Sequence, residues 1–205
     1  MTTNNRWLTA QRSLAHKDAV LGDIIRRVGP CALTPKRSAF AALVETIVHQ
    51  QLSLKAGQTI YNRVRRLCPT GRISIDSLKQ VTDFQLRSAG LSRAKVVYVT
   101  DLIDRIGDRT MNLRKLADLD DEQIIENLTV VKGIGRWSAQ MYLIFVLNRP
   151  DIFSPADVGL QIGIEKLYRI TGNSAKLELF AERWRPYRSV ACWYLWQSRN
   201  LSDSA

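Results

Sequence analysis

Apolar residues recur along the chain at the spacing of one helical face. One such set, at positions i, i+3, i+4, i+7 and i+8, comprises Phe40, Leu43, Val44, Ile47 and Val48. The segment from Arg93 to Ile106 has the same period, and although Val96 to Val99 alone would also fit a strand, the longer window favours a helix. Because neither a βαβ rhythm nor a set of strands joined by hairpin turns is present, we predict an all-α protein of about nine or ten helices.

Polar residues mark where several of these helices begin. Ser53, Asp120 and Asp157 each precede a helical segment, and each can accept hydrogen bonds from the free N–H groups of a first turn. The helices that they would cap run over Leu54–Leu67, over Asp121–Leu128 and from Asp157 to about Tyr168. Others are predicted from Gly135 to about Leu147, from Ser174 to about Trp184, and from Pro186 to about Arg199.

The chain is strongly basic. Its 205 residues include 30 lysines and arginines against 19 aspartates and glutamates, which gives a net charge of +11 and a pI near 10.0. This charge favours a polyanionic partner, although ribosomal and membrane-surface proteins share it. Because no apolar run approaches the roughly 20 residues of a membrane helix, and because Met1 to Trp7 lacks a signal-peptide apolar region, we expect a cytoplasmic protein with no membrane partner.

Cysteines and histidines are too few and too scattered for common metal or nucleophile sites. Cys31, Cys68 and Cys192 form no CxxC pair, so neither a zinc site nor a disulfide framework is indicated. His16 and His49 are the only histidines. A histidine-based metal site or a Ser-His-Asp triad is therefore hard to build.

Two glycines one residue apart lie between two predicted helices. Gly133 and Gly135 permit a tight turn and the close approach of another molecule to the backbone, and Ile134 between them is expected to enter the core. The following helix offers free N–H groups and a positive dipole end, which suit a phosphate, and Lys132 and Arg136 add charge. Such turns are also common as simple connectors between helices. The local pattern therefore fits either a phosphate-binding turn or a connector.

Asp157 and some other polar or aromatic residues have an ordinary structural explanation when taken alone. An isolated aspartate at the head of a helix is best explained as an N-cap. Arg93 and Lys95, at the start of a predicted helix, either face phosphates or lie on a solvated helix face. Tyr98 and Tyr142 are predicted to belong to the core.

Four motifs in a fixed order give the chain a specific family resemblance. They are VHQQLS at residues 48–53, LTVVKGIGRWSA at 128–139, PAD at 155–157, and AERWRPYRS at 181–189 followed by Trp196. Together they resemble the helix-hairpin-helix superfamily of DNA glycosylases, and within it the DNA-3-methyladenine glycosylase II type. The resemblance extends over residues 37–199 and points to the short, purely helical form without an N-terminal β domain.

The resemblance implies a fold and an activity. The fold would have two helical lobes with a DNA-binding cleft between them, in a single domain over residues 1–205 with its hairpin motif at 120–147. The activity would be base excision repair: an alkylated purine, such as 3-methyladenine or 7-methylguanine, is flipped out of double-stranded DNA and its N-glycosidic bond is hydrolysed. A monomer that requires no cofactor and acts on the nucleoid of a bacterial cytoplasm is expected.

The resemblance also assigns roles by position. Asp157 matches the catalytic aspartate, and Trp137 and Trp196 match aromatic residues that line the base pocket. The DNA-contacting hairpin comprises Lys132, Gly133, Gly135 and Arg136.

The remaining assignments concern the minor groove and a bound ion. Gln51, with Leu52 as the alternative, matches the wedge that replaces the flipped nucleotide, and His49 would probe the minor groove beside it. A structural Na⁺ or K⁺ would be bound by the backbone carbonyls of Thr129, Val131 and Ile134.

Departures from the family pattern refine these expectations. The family hairpin usually has proline where this chain has Lys132, and its wedge is often apolar whereas Gln51 is polar. Relatives that also cut the backbone carry a lysine two residues after the second hairpin glycine, where this chain has Trp137, so we predict no lyase activity.

Relatives that act on oxidised or mismatched bases often hold an iron–sulfur cluster, which three cysteines cannot bind in the usual way. A non-catalytic binder of damaged DNA and a basic RNA-associated protein remain the alternatives.

Overall fold

A computed structural model describes residues 6–201 of the chain, apart from the side chain of Leu54. That part contains twelve α-helices and two short 3-10 helices, and no strand. The all-α prediction is confirmed, although the helices outnumber those predicted. Within the same range, no helix is both long and apolar enough to cross a membrane. The segment Met1–Asn5, on which part of the signal-peptide argument rests, lies outside the described residues.

The α-helices are, in chain order, α1 (Leu8–Lys17), α2 (Ala19–Val28), α3 (Ala39–His49), α4 (Leu54–Leu67), α5 (Ile75–Lys79), α6 (Asp83–Ser88), α7 (Arg93–Gly107), α8 (Asp121–Thr129), α9 (Arg136–Phe145), α10 (Val158–Tyr168), α11 (Ser174–Ala181) and α12 (Arg188–Ser198). The 3-10 helices are Lys115–Asp118 and Glu182–Trp184.

The chain divides into two compact units. One comprises Met1–Pro35 with Leu143–Ala205, and the other is Lys36–Tyr142. In the first unit α12 packs against α2 and α10, and its fully buried side chains include Leu14, Leu21, Trp184 and Tyr194. In the second unit α3 packs against α4 and α7, with Leu43, Ile47, Val64 and Leu102 inside. A single domain over residues 1–205 stays a prediction.

The predicted caps are confirmed. Ser53 Oγ accepts a hydrogen bond from the Ala56 N–H at 3.3 Å, and Asp120 Oδ1 accepts one from the Gln123 N–H at 2.8 Å. Each satisfies a donor that the first turn of a helix leaves without an internal partner. The five apolar residues predicted for one face of α3 are likewise all buried.

Helix boundaries near two prolines were predicted wrongly. The last helix begins at Arg188 rather than at Pro186, because Tyr187 has a non-helical backbone (φ −125°, ψ 34°), and the Arg188 backbone N–H donates to Asp151 Oδ1 at 3.2 Å. The helix after the hairpin ends at Phe145, two residues before the predicted end at Leu147 and ahead of Pro150. The helix predicted up to Trp184 changes to a 3-10 helix at Glu182.

Candidate active site and nucleic-acid interface

Asp157 is a buried N-cap at the start of α10. The residue is 8% exposed, and its Oδ1 accepts the Leu160 backbone N–H at 2.8 Å. Pro155, two residues before it, fixes the backbone approach, and the Asp157 N–H donates to the Ser154 carbonyl at 3.0 Å. The capping interpretation is therefore correct, but a cap alone does not require burial, since N-caps function well at exposed helix ends such as that of Asp120.

Trp196 lies beside Asp157, as the assignment of both residues to one pocket requires. The indole Nε1 of this α12 residue donates a hydrogen bond to Asp157 Oδ1 at 3.0 Å. Phe145, at the end of α9, stacks on the indole with ring centroids 5.5 Å apart and planes inclined by 26°. Two N–H donors on one oxygen fix the orientation of the carboxylate, and the two rings place an aromatic surface next to it.

Gly159 leaves room for this arrangement. A Cβ at this position would stand 3.0 Å from Asp157 Oδ1, 3.0 Å from Arg199 Nη1 and 3.1 Å from Trp196 Cδ1. The second residue of α10 is thus covered by the carboxylate, the indole and a guanidinium. The guanidinium of Arg199, an exposed residue, therefore lies beside the same glycine as the Asp157 carboxylate.

Asp18 provides an internal comparison, because it is also a buried N-cap that accepts from an indole. Its Oδ1 accepts the Leu21 N–H at 3.0 Å, and its Oδ2 accepts both Trp184 Nε1 and the Tyr168 hydroxyl at 2.9 Å. Those partners belong to an aromatic cluster of the core. Asp18 therefore binds core groups through both oxygens, and at Asp157 a single oxygen accepts both the cap N–H and the indole N–H.

The hairpin is a tight turn in which the ring of Tyr98 packs against Gly133. Gly133 has φ +78°, and a Cβ there would lie 2.1 Å from the Tyr98 ring. Ile134 is 3% exposed, which confirms that it enters the core. Gly135 differs, because a Cβ there would meet nothing within 4 Å. Gly133 is therefore required by the fold, while the open space at Gly135 leaves the backbone at the start of α9 accessible.

The cations beside the hairpin are partly engaged within the protein. Lys132, where the family usually has proline, donates its backbone N–H to Asp101 Oδ2 at 3.0 Å, a bond that proline cannot make. Burial raises the pKa of Asp101, but hydrogen bonds from Arg105 and the Lys132 backbone, together with their charges, outweigh it and hold that pKa below its ordinary value. Arg136 is paired with Glu122, so its availability to phosphate depends on an exposed ion pair.

The wedge loop, residues 50–53, projects two exposed residues. Gln51 has φ +55°, a left-handed conformation that is uncommon for a residue other than glycine, and Leu52 is 39% exposed. The geometry suits either as a wedge. His49 lies at the end of α3, where Nδ1 is 2.9 Å from the Glu45 carbonyl and the ring covers Gly57. Its packing gives it a structural role, and its minor-groove role stays a prediction.

Trp137 and the proposed ion site belong to the same part of the chain. Trp137, in the first turn of α9, is 36% exposed, so its ring remains accessible to a ligand. Among the carbonyls proposed for Na⁺ or K⁺, that of Val131 accepts the Ile134 N–H at 3.0 Å, and its second lone pair could still bind a cation. Residues 6–201 contain no cluster of histidine, cysteine and acidic residues suited to a metal ion.

Comparison with known proteins identifies the family. Residues 44–189 match the HhH-GPD superfamily of base excision DNA repair proteins. The chain belongs to this superfamily. Over 172 residues it is 31% identical to DNA-3-methyladenine glycosylase 1 of Schizosaccharomyces pombe, an alignment that covers 82% of this chain and 75% of the relative. The resemblance inferred from four motifs is thus confirmed.

Two solved structures resemble this HhH-GPD protein along most of their length. A DNA-3-methyladenine glycosidase from Bacillus halodurans is 36% identical, with a TM-score of 0.79 and coverage of 92% of this chain and 88% of the other. A 3-methyladenine DNA glycosylase from Schizosaccharomyces pombe, solved in complex with abasic DNA, is 28% identical, with a TM-score of 0.85 and coverage of 96% and 99%.

Several residues of the sites were missed by sequence reasoning. Phe145 could have been found, because it follows Trp137 by eight positions in a predicted helix, the spacing that keeps aromatic residues on one face. Gln50 lies within the recognised VHQQLS motif, but only its neighbours received roles. Lys95 was expected to face phosphates or solvent; instead its ammonium group donates to the carbonyls of Val48 and Gln50, and burial lowers its pKa.

Proposed function

We propose that this protein is a DNA glycosylase that releases alkylated purines from double-stranded DNA, with Asp157 as the catalytic residue. The observation that carries the proposal is the carboxylate of Asp157, which is buried, oriented by two N–H donors and placed beside an aromatic pair. The names of the similar proteins, several of which are 3-methyladenine glycosylases, support the substrate class.

The chemistry that we propose follows from charge. Breaking the N-glycosidic bond develops positive charge on the sugar, and a fixed carboxylate at that position stabilises it and orients the attacking water. An N-alkylated purine is cationic and is therefore a good leaving group, so strong acid assistance is not required. The same positive charge is attracted to aromatic faces by about 0.5–2 kcal/mol, which gives Trp196 and Trp137 a role in selecting the base.

DNA would be bound mainly through its phosphates. The accessible backbone at Gly135, the N-terminus of α9 and the exposed side chain of Lys132 form a site for phosphate oxygens that does not depend on base sequence. Affinity for undamaged duplex should then fall steeply with salt, with a log–log slope of about −0.9 per neutralised phosphate. A Na⁺ or K⁺ ion on the hairpin carbonyls would strengthen this site, and replacing KCl by choline chloride at equal ionic strength tests it.

We further propose that the enzyme is monofunctional and of the type II class. Trp137 occupies the position of the lyase lysine and has no nucleophilic amine, so water is the nucleophile. Borohydride should then trap no covalent protein–DNA adduct, and the abasic product should break only after alkali or heat. A trapped adduct that forms as fast as the base is released would contradict this proposal. A monomer in the cytoplasm without an iron–sulfur cluster is also expected.

The decisive experiment is base release. Duplex DNA treated with a methylating agent is incubated with the protein, and the free bases are separated by chromatography. We expect 3-methyladenine and 7-methylguanine among the products, and at least about 100-fold slower release by the Asp157→Asn variant. If the wild-type protein binds the methylated duplex and releases nothing, it is a non-catalytic binder of damaged DNA.

A further inference from the structure

Helix α7 contacts both the wedge loop and the hairpin. We propose that α7 sets the spacing between the wedge loop and the hairpin, and that Lys95 is the residue that positions the wedge for base flipping. This inference rests on the proposed glycosylase function, since flipping is the step that the wedge would serve.

Lys95 serves as a cap for α3 that is supplied by another helix. Its Nζ lies 2.8 Å from the Val48 carbonyl and 2.7 Å from the Gln50 carbonyl, so it holds the backbone on both sides of His49. The last carbonyls of a helix have no internal partner, and they lie at the negative end of its dipole. A lysine ammonium satisfies both requirements at a helix end that has no glycine cap.

The wedge loop depends on this cap for its shape. Directly after Gln50, the chain turns into the left-handed conformation of Gln51 and exposes Leu52. Such a conformation persists in a residue with a side chain only when its surroundings fix it. One bond from Lys95 ends on the Gln50 carbonyl, immediately before Gln51, and the other ends on the Val48 carbonyl, so together they position the backbone from which Gln51 projects.

The hairpin is supported by the same helix. Lys95, Tyr98 and Asp101 stand at positions i, i+3 and i+6 of α7, and each supports a different backbone segment. Lys95 holds the wedge loop, the Tyr98 ring lies under Gly133, and Asp101 accepts the Lys132 N–H. One stripe of α7 thus supports both elements that would touch DNA.

Gln50 joins the two supported elements directly. Its Nε2 donates to the Gly133 carbonyl at 2.7 Å and lies 3.4 Å from Ser138 Oγ. The loop and the hairpin therefore form one braced unit in which the distance from the phosphate-binding backbone to the wedge is fixed. A phosphate bound at the hairpin would place Gln51 in a defined register on the duplex.

The test separates flipping from chemistry. Lys95→Met keeps the side-chain length but removes the donors, and Lys115→Met, on an exposed 3-10 helix, removes the same charge as a control. Single-turnover release of 7-methylguanine is measured from a duplex in which it pairs with cytosine and from one in which it lies opposite an abasic site. An unpaired base costs less to flip.

The expected result is a selective defect. Lys95→Met should lose about tenfold or more in rate on the paired substrate, which corresponds to the cost of a lost charge-assisted contact, and about threefold or less on the unpaired one. Gln50→Leu should show the same pattern, and it keeps the test available if Lys95→Met does not fold. Equal losses on both substrates, or no loss beyond that of Lys115→Met, would overturn the proposal.

The proposed function and this inference fail in different ways. If the wild-type protein releases no base from either substrate, the glycosylase proposal fails. The role of Lys95 can still be measured by the fluorescence of 2-aminopurine placed at the target position, which rises when the base leaves the stack. An equal rise for wild type and Lys95→Met would overturn the positioning role.

Discussion

The indole Nε1 of Trp196 lies 3.0 Å from Oδ1 of Asp157, the same oxygen that caps α10 at 2.8 Å. Two directed donors from different helices therefore hold one carboxylate oxygen, although the two side chains are 39 residues apart in the chain. A catalytic carboxylate that is fixed before DNA arrives needs little reorganisation during the reaction.

The Asp157→Asn variant should lose base release by at least about 100-fold, because it removes the negative charge opposite the developing sugar cation. Stability should change little, since an asparagine oxygen can still accept from Leu160 and Trp196. Single-turnover kinetics measure the rate of base release, and a thermal melt measures the stability.

The matched control is Asp18→Asn. This change replaces an acceptor of Tyr168 and Trp184 in the core, so it should lower stability by about 1–3 kcal/mol without reducing the rate per folded molecule. If Asp157→Asn behaves like Asp18→Asn, with lower stability and full activity, then Asp157 is only a structural cap.

Two substitutions of Trp196 separate the roles of its ring and its N–H. Trp196→Phe keeps an aromatic surface beside Phe145 but removes the donor to Asp157, so we expect an approximately tenfold slower release of all substrate bases, a typical cost of slight misplacement of a catalytic group. Trp196→Ala, and likewise Trp137→Ala, should impair cationic 3-methyladenine more than neutral hypoxanthine. If each alanine variant loses the same fraction of the wild-type release rate on 3-methyladenine as on hypoxanthine, a cation–π contribution is excluded.

The hairpin glycines should respond differently to substitution. Gly135→Asp places a negative charge in open space, so it should weaken binding to all duplexes without lowering the melting temperature. Gly133→Ala must displace the Tyr98 ring and adopt a positive φ, so we expect about 1–3 kcal/mol of lost stability. Gly133→Asp would combine both effects and is a poor probe of phosphate binding. Normal DNA affinity of a folded Gly135→Asp variant would remove the hairpin from the interface.

Asp101 should make the hairpin sensitive to acid. Its pKa lies below the ordinary value in the folded protein, so its contribution to stability is complete above the ordinary aspartate pKa of about 3.9 and is lost as pH falls through the lower, folded value. Asp101→Asn should therefore lower the melting temperature at pH 7, and its difference from wild type should narrow below about pH 4. A difference that is independent of pH would mean that the charge of Asp101 contributes nothing.

Local patterns predicted the fold well where helices were long and capped. Ser53, Asp120 and Asp157 marked helix starts correctly because each cap is a contact between residues three apart. Helices α5 and α6, with five and six residues, are too short for a period to emerge. At the start of α12, the backbone and side chain of Arg188 both contact Asp151, a pairing that spans 37 residues and leaves no local signal.

The candidate site shows the same difference between local features, which the sequence predicts, and long-range contacts, which it does not. The motifs identified Asp157, Trp196 and the glycines, but their family roles came from resemblance and not from local physics. The bonds that explain how the site works join distant segments: Trp196 to Asp157, Lys95 to Gln50, and Asp101 to Lys132. Only a folded structure brings these partners together, because no residue type or spacing specifies which of many lysines or aspartates will meet a given backbone group.

The hairpin would bind DNA largely through main-chain atoms. Every residue except proline supplies a backbone N–H, so most point mutations would misdirect or cover this ligand rather than delete it. At Lys132 the backbone N–H is used within the protein, where it donates to Asp101 Oδ2. DNA affinity could therefore be tuned from α7, where substitution of Tyr98 or Asp101 would change the direction of these backbone groups without altering the turn itself.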